Sequence, residues 1–242
     1  MIETIRGIVI RTVKYNDNKQ IVDLYSETHG CLSFSTPISR GGRKTGLSAA
    51  LWRPLTFVEC QLEIRPSSRL SKLHDARVYL IYTDIPFNPV KSAVILFLSE
   101  FLSHVLRIEQ ADPLLYRYLE TALQWFDACT SGVSNFHLSF LLHLTTFVGV
   151  RPDLHHDPVP SYFDLRSGCY ARIRPSHPDV LEPSESRYLP YLFRMDLGSL
   201  SRYRFSRQQR QRILEVVNLY FRLHLPPFPE LRSIAVLKEV FD

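Results

Sequence analysis

The sequence predicts an α+β protein in which a barrel of short β-strands precedes an all-helical domain with an irregular insert. Three observations support this fold class. Apolar and polar residues alternate in the first third of the chain, apolar residues recur at helical spacing after Tyr82, and a proline-rich stretch interrupts the helical part. The length of 242 residues, with 45% hydrophobic and 22% charged residues, is typical of a folded globular protein of one or two domains.

Strands are predicted throughout residues 1–82. The segment from Val58 to Arg65 alternates apolar and polar residues at every position, which puts one face on a core and the other in water. His29-Gly30 separates two further strand-like segments where a tight turn is needed. Five short strands favour a small closed barrel, because closure removes exposed sheet edges. The remaining strand-like segments are 7–15, 20–26, 31–35 and 78–82.

Helices are predicted after Tyr82. Asn88-Pro89 and Asp112-Pro113 each supply a capping side chain followed by proline at the first helical position. A third helix is expected from about Asn135 to Val148. The residues expected to face the core of these helices are Val94, Phe97, Leu98, Phe101, Leu102, Val105, Leu115, Tyr118, Leu119, Ala122, Trp125, Phe126, Phe140, Leu141, Leu144 and Phe147.

The second half of the chain is expected to hold an insert and further helices. Ser206 and Gln209 form a possible capping box for one helix, and a last helix is expected after Pro229. The predicted domains are 1–82, a nucleic-acid-binding barrel; 83–150, the first part of the helical domain; 151–183, the irregular insert; and 184–242, the second part of the helical domain.

Positive charge is concentrated in the predicted barrel. The formal net charge is +5, and residues 1–82 alone hold 12 Lys and Arg against 7 Asp and Glu, whereas the remainder is balanced. Such a division suggests a module that faces a polyanion, although a barrel that merely carries more Lys and Arg is an alternative. The cations expected to contact phosphate lie in three predicted turns: Lys14 and Lys19; Arg40, Arg43 and Lys44; and Arg65, Arg69 and Lys72. A solvated hairpin tip is the alternative for the turn with Arg40, Arg43 and Lys44, and the occurrence of three basic turns in one small domain weakens it.

A second basic cluster, with Arg204, Arg207 and Arg210, lies around the predicted start of a helix. Cations there oppose the helix dipole, so a bound anion, either DNA phosphate or an acidic peptide, would relieve the conflict. Arginines that are solvated or paired with carboxylates are the alternative.

Other chemistry is disfavoured by the sequence. Nucleophile elbows, Walker-type loops and paired metal-binding cysteines are absent, which argues against an enzyme, and the four isolated cysteines indicate reduced thiols. His155, His156, Cys169 and His177 lack the close ligand pairs of a structural zinc site. Tyr25, Phe34 and Phe57 are either stacking platforms or, at strand spacing, core residues. Without a signal peptide or a membrane-spanning apolar run, a cytoplasmic protein is expected.

Several stretches resemble the RecO family of bacterial recombination mediators, in particular its Bacteroides-like branch. Each motif is weak alone, but their order and spacing are specific, and the resemblance covers nearly the whole chain. The stretches are Arg6 to Tyr15, Arg43-Lys44, Arg65 to Leu70, Asn88 to Ala93, Ser161 to Leu165, Gly168-Cys169, Phe205-Ser206-Arg207 and Arg212 to Glu215.

The resemblance implies an N-terminal OB-fold, a helical domain, and an insert that often holds zinc on four cysteines. Only Cys169 remains here, so no zinc is expected, and packing of Tyr162, Phe163, Leu165 and Tyr170 is expected to hold the insert instead. The resemblance also implies a nucleoid-associated protein without covalent chemistry, which anneals complementary strands and, with RecR, helps load RecA onto single strands coated with single-stranded-DNA-binding protein. The implied partners are therefore single- and double-stranded DNA, RecR and the acidic, aromatic-ended C-terminal tail of the coating protein, and no membrane.

Two other readings stay open. An RNA- or tRNA-binding OB module on a helical scaffold would show the same basic barrel. A hydrolase whose histidines act from the insert would place its chemistry in residues 151–183.

Overall fold

The computed structural model of the chain describes residues 2–38, 49–64, 70–106, 110–155 and 161–240. The strands are β1 (Ile2–Lys14), β2 (Lys19–Ser26), β3 (Gly30–Pro37), β4 (Phe57–Glu63), β5 (Ser71–Leu80), β6 (Tyr162–Asp164), β7 (Cys169–Ala171) and β8 (Val180–Leu181). The α-helices are α1 (Pro89–Val105), α2 (Pro113–Ala128), α3 (Val133–Phe147), α4 (Pro183–Ser186), α5 (Leu189–Phe193), α6 (Arg207–His224) and α7 (Ser233–Val240). The described residues form two compact units. Unit 1 holds the described residues up to Asp127 together with Leu231–Val240, and unit 2 holds those of Ala128–Glu230.

The first five strands of unit 1 close into a barrel in the order β1-β2-β3-β5-β4. All neighbours are antiparallel except β3 and β5, whose short parallel contact closes the barrel. This is the five-stranded topology of an OB-fold, so the predicted α+β class with an N-terminal OB barrel is confirmed. The barrel core includes Val9, Val22, Leu24 and Phe34, and the Phe34 ring meets the Trp52 ring edge-on at 5.4 Å between centroids.

Strand β1 begins five residues before the predicted strand-like segment 7–15. Its first half pairs with β4 and its second half with β2, with a register shift between Val9 and Arg11. That bulge lies in a run of four consecutive buried residues, Gly7 to Ile10, which breaks the period of two. Val9 packs inside the barrel, while the Ser99 hydroxyl of α1 donates to the Ile10 carbonyl at 2.6 Å, so α1 covers this part of the outer surface.

The chain leaves the barrel through a segment that is fixed by Asp127, near the end of α2. One Asp127 carboxylate oxygen accepts the Thr83 backbone N–H at 2.7 Å, and the other accepts those of Asp84 at 3.0 Å and Ile85 at 2.8 Å. Burial acts to raise the pKa of Asp127, but these donors outweigh it and lower the pKa. Lys91, which is 1% exposed, donates to the Asp127 carbonyl at 2.7 Å and pairs with Asp84 at 2.8 Å.

The predicted caps of the first two helices are confirmed, as is the capping box. The Asn88 side chain accepts the backbone N–H groups of Val90 and Lys91 at the start of α1. Asp112 accepts those of Leu114 and Leu115 at the start of α2. In unit 2, Ser206 and Gln209 form both bonds of the capping box at the start of α6.

The insert is more regular than predicted. Strands β6, β7 and β8 form a three-stranded antiparallel sheet in the order β7-β6-β8. Phe163 and Leu165 are buried in a cluster with Tyr220 of α6, and the Tyr170 ring meets Phe163 edge-on at 5.2 Å between centroids. Tyr162 is half-buried and does not belong to this cluster. Strands of only two or three residues leave no detectable alternation, which is why the sequence indicated an irregular segment.

Candidate nucleic-acid interface

The turn between β1 and β2 is short and tightly hydrogen-bonded. The Tyr15 and Asn16 backbone N–H groups both donate to the Lys19 carbonyl, at 3.0 and 3.1 Å. The Asn16 side-chain oxygen accepts the backbone N–H groups of Asn18 at 2.9 Å and Lys19 at 2.8 Å. These bonds form an Asx-type turn that fixes the backbone between Lys14 and Lys19.

Strand register brings three of the predicted phosphate contacts to one region of the barrel. Lys14 pairs with Gln20, Lys19 pairs with Pro37, and Lys72 pairs with Ser35. All three lysines are exposed. Since neighbouring strands lie about 4.8 Å apart, the Cα atoms of these lysines lie within about 15 Å of one another, around the end of β3.

The two other basic turns are attached at the same region. The Ile38 backbone N–H, which follows β3, donates to the Asn18 carbonyl of the β1–β2 turn at 2.9 Å. Ser71, the first residue of β5, pairs with Phe34 near the end of β3. Arg40, Arg43, Lys44, Arg65 and Arg69 lie outside the described residues, so their contact with phosphate stays a prediction. Their flanking residues nevertheless converge on the region where Lys14, Lys19 and Lys72 lie, which we call the basic end of the barrel.

Cations on the β1–β4–β5 outer face are paired with carboxylates instead. Glu59 of β4 accepts from Arg6 on β1 at 3.1 Å and from Arg77 Nε on β5 at 2.9 Å. Hydrogen bonds from Arg77, which has the larger effect, and from Arg6 lower the pKa of Glu59. At the basic end, Lys14 pairs with Asp17 at 2.7 Å, whereas Lys19 and Lys72 form no ion pair with any residue in the described ranges. Glu63 lies opposite Lys72 in the β4–β5 register but bonds to His74 at 3.2 Å, so neither Lys19 nor Lys72 is held by a described carboxylate.

The aromatic residues considered as stacking platforms belong to the core. Tyr25 is 2% exposed and Phe34 and Phe57 are fully buried, so the core interpretation is confirmed and these three rings are closed to a base. The exposed ring at the basic end is Tyr15, at 68%. Its position between Lys14 and the turn-forming run Asn16-Asp17-Asn18 is a sequence signal of an exposed ring that was not among the predicted site residues.

Arg53 is a further exposed cation that the sequence analysis did not single out. It follows Trp52, whose carbonyl accepts the Thr12 hydroxyl at 2.9 Å, two residues before Lys14 in β1. Arg53 follows a short 3₁₀ turn that packs into the barrel. Nothing in the sequence indicates that this turn lies next to β1.

The second basic cluster borders an apolar groove in unit 2, of about 530 Å³. Exposed Arg204 and Arg212 line it together with apolar and aromatic side chains, among them Leu192, Phe205 and Ile213. Arg212 forms a forked pair with Glu185, at 2.7 and 2.9 Å, which lowers the pKa of Glu185 and raises that of Arg212. Arg204 forms no ion pair within the described part of the chain, which leaves its charge available to the groove.

The other two arginines of that cluster are placed differently. Arg207 is the first residue of α6 and is exposed. Arg210 turns back toward the chain before the helix and donates to the Phe205 carbonyl at 2.7 Å. Neither residue lines the groove. Of the predicted second anion site, the structure thus brings only Arg204 to a concave surface.

The histidines and the cysteine of the insert are dispersed. His155 pairs with Asp153 at 2.7 Å, His177 lies 3.3 Å from Asp164, and the Cys169 sulfur lies 3.2 Å from the Ser167 hydroxyl. Among the described residues, no three His, Cys, Asp or Glu side chains come close enough to hold a metal ion, and His156 lies outside them. Within the same residues, no helix is both long and apolar enough to span a membrane.

Two family models match the chain along almost its whole length. The model described as Recombination protein O N terminal matches residues 1–82, and the one described as Recombination protein O C terminal matches residues 86–233. The chain belongs to the RecO family. The first RecO match ends two residues after β5, so it spans the OB barrel, and the second spans the helices of both units up to the start of α7.

Curated RecO proteins are similar over their full length. The chain is 37% identical to the DNA repair protein RecO of Phocaeicola vulgatus over 242 residues, and 37% identical to that of Bacteroides fragilis over 243 residues. It is 32% identical to the DNA repair protein RecO of Porphyromonas gingivalis over 245 residues. Each alignment covers all of both chains. The predicted Bacteroides-like resemblance to RecO is confirmed.

Proposed function

We propose that this chain is a DNA-binding mediator of recombinational repair that acts on the nucleoid in the cytoplasm. In this proposal it binds single- and double-stranded DNA, anneals complementary strands that carry single-stranded-DNA-binding protein, and with RecR promotes loading of RecA. It does so without covalent chemistry. Membership of the RecO family, whose curated members are named DNA repair proteins, supports the repair role.

The observation that carries DNA binding is the convergence of lysines at the basic end of the OB barrel. Annealing requires that the charge of two phosphate backbones be neutralised, and exposed cations on a rigid barrel supply that neutralisation without reading sequence. Lys19 and Lys72 are exposed on neighbouring sides of the end of β3 and form no ion pair within the described residues. They are therefore the described cations best placed to contact phosphate.

The first test removes these two charges. The double variant Lys19→Gln with Lys72→Gln is expected to bind single-stranded DNA more weakly, because each lost phosphate contact lowers the counterion release on binding. The slope of log affinity against log salt should fall by about 1.4, at roughly 0.7 per contact on a single strand. Fluorescence anisotropy of a labelled oligonucleotide over a salt series measures both quantities.

The matched control is Arg174→Gln with Arg222→Gln, which removes the same net charge from unit 2. These arginines pair with Glu182 and Glu230, at 3.1 and 3.8 Å. A control that lowers the slope as much as the lysine variant would show that net charge matters and the basic end does not. The same titration with RNA as competitor separates the proposed function from an RNA- or tRNA-binding module, which would prefer the RNA.

We further propose that the groove of unit 2 receives the acidic tail of single-stranded-DNA-binding protein. An acidic peptide with an aromatic end needs an apolar recess for its ring and a cation for its carboxylates, and the groove combines both. Arg204 supplies the cation and Phe205 and Ile213 supply apolar surface.

The second test uses a synthetic acidic peptide with a C-terminal aromatic residue. Arg204→Ala is expected to weaken its binding by about 5- to 10-fold, since an exposed charge contact contributes on the order of 1 kcal/mol. Isothermal titration calorimetry provides the affinity, and Arg202→Ala, an exposed arginine outside the groove lining, is the control. If Arg204→Ala and Arg202→Ala lose the same amount of affinity for the peptide, the groove is ruled out as the docking site.

A further inference from the structure

An exposed aromatic ring occupies the basic end of the barrel. Tyr15 is 68% exposed, whereas the other aromatic rings considered for stacking, Tyr25, Phe34 and Phe57, are buried. Single exposed apolar side chains are common on protein surfaces, so exposure alone does not assign a role to this ring. What distinguishes Tyr15 is its place in a turn that Lys14 and Lys19 bracket.

The turn holds Tyr15 in a fixed position. Its backbone N–H donates to the Lys19 carbonyl at 3.0 Å, and the next residue, Asn16, bonds to Lys19 through both its backbone and its side chain. The Asn18 carbonyl is in turn bonded to the Ile38 N–H after β3. The backbone that carries the ring is therefore ordered before any ligand arrives, which reduces the entropy lost on binding.

The charges around Tyr15 match a nucleic acid strand. Lys14 precedes it in β1, and Lys19 closes the turn at the start of β2. Asp17 offsets one of these charges through its 2.7 Å pair with Lys14, which leaves Lys19 for a phosphate. A flat apolar face with a cation beside it suits an unpaired base and its adjoining phosphate, whereas the faces of bases within a duplex are covered by their neighbours.

We propose that Tyr15 is a stacking platform for an unpaired base of single-stranded DNA, with the adjacent phosphate at Lys19. This inference rests on the proposed DNA-binding function and adds to it the residue that favours single strands over duplex. Because every base has a π face, such a contact is tolerant of sequence, as strand annealing requires.

The test compares four proteins, the parent, Tyr15→Ala, Tyr15→Leu and Tyr15→Phe, on three probes of equal length. The probes are a thymine homopolymer, an abasic strand with the same phosphates, and a duplex. Tyr15→Ala and Tyr15→Leu are expected to lose about 5- to 100-fold in affinity for the thymine strand, which corresponds to roughly 1–3 kcal/mol for one stacked base. Tyr15→Phe should bind like the parent, and all four should bind the abasic strand and the duplex within about twofold of one another.

The control variant is Phe87→Ala. Phe87 is also an exposed aromatic residue of unit 1, but it comes seven residues after Leu80, the end of β5 that lies about 26 Å along the strand from Lys72. It should leave all three affinities unchanged. Because Tyr15 is largely exposed, its replacement leaves the core intact, and circular dichroism checks that each variant is folded.

The possible failures are distinguishable. If the parent binds none of the probes, the proposed DNA-binding function fails. If the parent binds DNA and Tyr15→Ala binds the thymine strand as tightly, the stacking inference fails while the proposed function stands. Equal losses on all three probes would also overturn it, since they would show a contact to the backbone and not to a base. A fourth probe, a ribouridine homopolymer of the same length, tests for RNA. If the parent binds it more tightly than the thymine strand, RNA is the ligand and the proposed DNA-binding function fails.

Discussion

Replacing Asp127 by alanine is expected to lower the free energy of unfolding of unit 1 by about 3–5 kcal/mol. The carboxylate accepts three consecutive backbone N–H groups of the segment that links the barrel to α1, and the Thr83 hydroxyl at 2.9 Å. Removing it leaves those donors without an acceptor, at about 1–3 kcal/mol for each buried one. Both tryptophans, Trp52 and Trp125, belong to unit 1, so urea unfolding followed by tryptophan fluorescence reports this unit.

Asp127→Asn is the matched variant for this prediction. It preserves one acceptor oxygen and the side-chain volume, so it should lose about half as much stability as the alanine variant. A loss below about 1 kcal/mol for Asp127→Ala would show that water or a neighbouring group replaces the carboxylate. DNA affinity of the folded fraction should be unchanged, because Asp127 lies apart from the basic end of the barrel.

Acid is expected to destabilise unit 2 through His137 of α3. The side chain is 2% exposed, and burial, helped by the charge of Arg210, lowers its pKa from 6.5 to about 3. The unfolded chain therefore binds a proton that the folded chain excludes, and stability falls as pH drops below about 6.5 toward 3. The slope is about 1.4 kcal/mol per pH unit, which amounts to about 3 kcal/mol between pH 6.5 and pH 4.

His137→Gln isolates this contribution from that of the carboxylates, whose lowered pKa values also make acid destabilising. Far-ultraviolet circular dichroism reports the helices of both units, and tryptophan fluorescence reports unit 1 alone. In urea unfolding at several pH values, the part of the dichroism change that fluorescence does not show should have a flatter pH dependence in the variant than in the parent. His155→Gln makes the same chemical change on a fully exposed histidine of unit 2 and should leave the slope unchanged. If the free energy of unfolding falls equally with pH in the parent and in His137→Gln, the prediction is wrong. An imidazole NMR signal of His137 that titrates near pH 6 would also contradict it.

The elements with strong local signals were predictable from the sequence. Alternation over Val58–Arg65 and the caps at Asn88, Asp112 and Ser206 correspond to β4 and to the starts of α1, α2 and α6. Sequence reasoning failed where tertiary contacts override the local pattern. The bulge in β1 depends on pairing with two strands at once, and the strands of the insert are too short to show a period.

The residue types of the candidate site could be predicted from the sequence, but their positions relative to one another could not. Clustered cations in three turns indicated phosphate contacts, yet only strand register shows that Lys14, Lys19 and Lys72 surround the end of β3. Exposure, which separates Tyr15 from Tyr25, depends on the helices that pack against the barrel and cannot be read from spacing. The groove beside Arg204 is lined by residues of α3, β8, α4, α5 and α6 and of the segment before α6, so no single stretch of sequence predicts it.

The last helix of the chain belongs to the first unit. Glu100 of α1 accepts the backbone N–H groups of Arg232 at 3.0 Å and Ser233 at 2.8 Å, and α7 packs against α1. During synthesis on the ribosome the barrel emerges before α7, and the unit that contains it lacks this helix until residues 128–230 have been made. A nascent or truncated chain that ends before residue 231 therefore exposes the α1 surface that α7 covers, and unit 1 can be completed only after the residues of unit 2 have been synthesised.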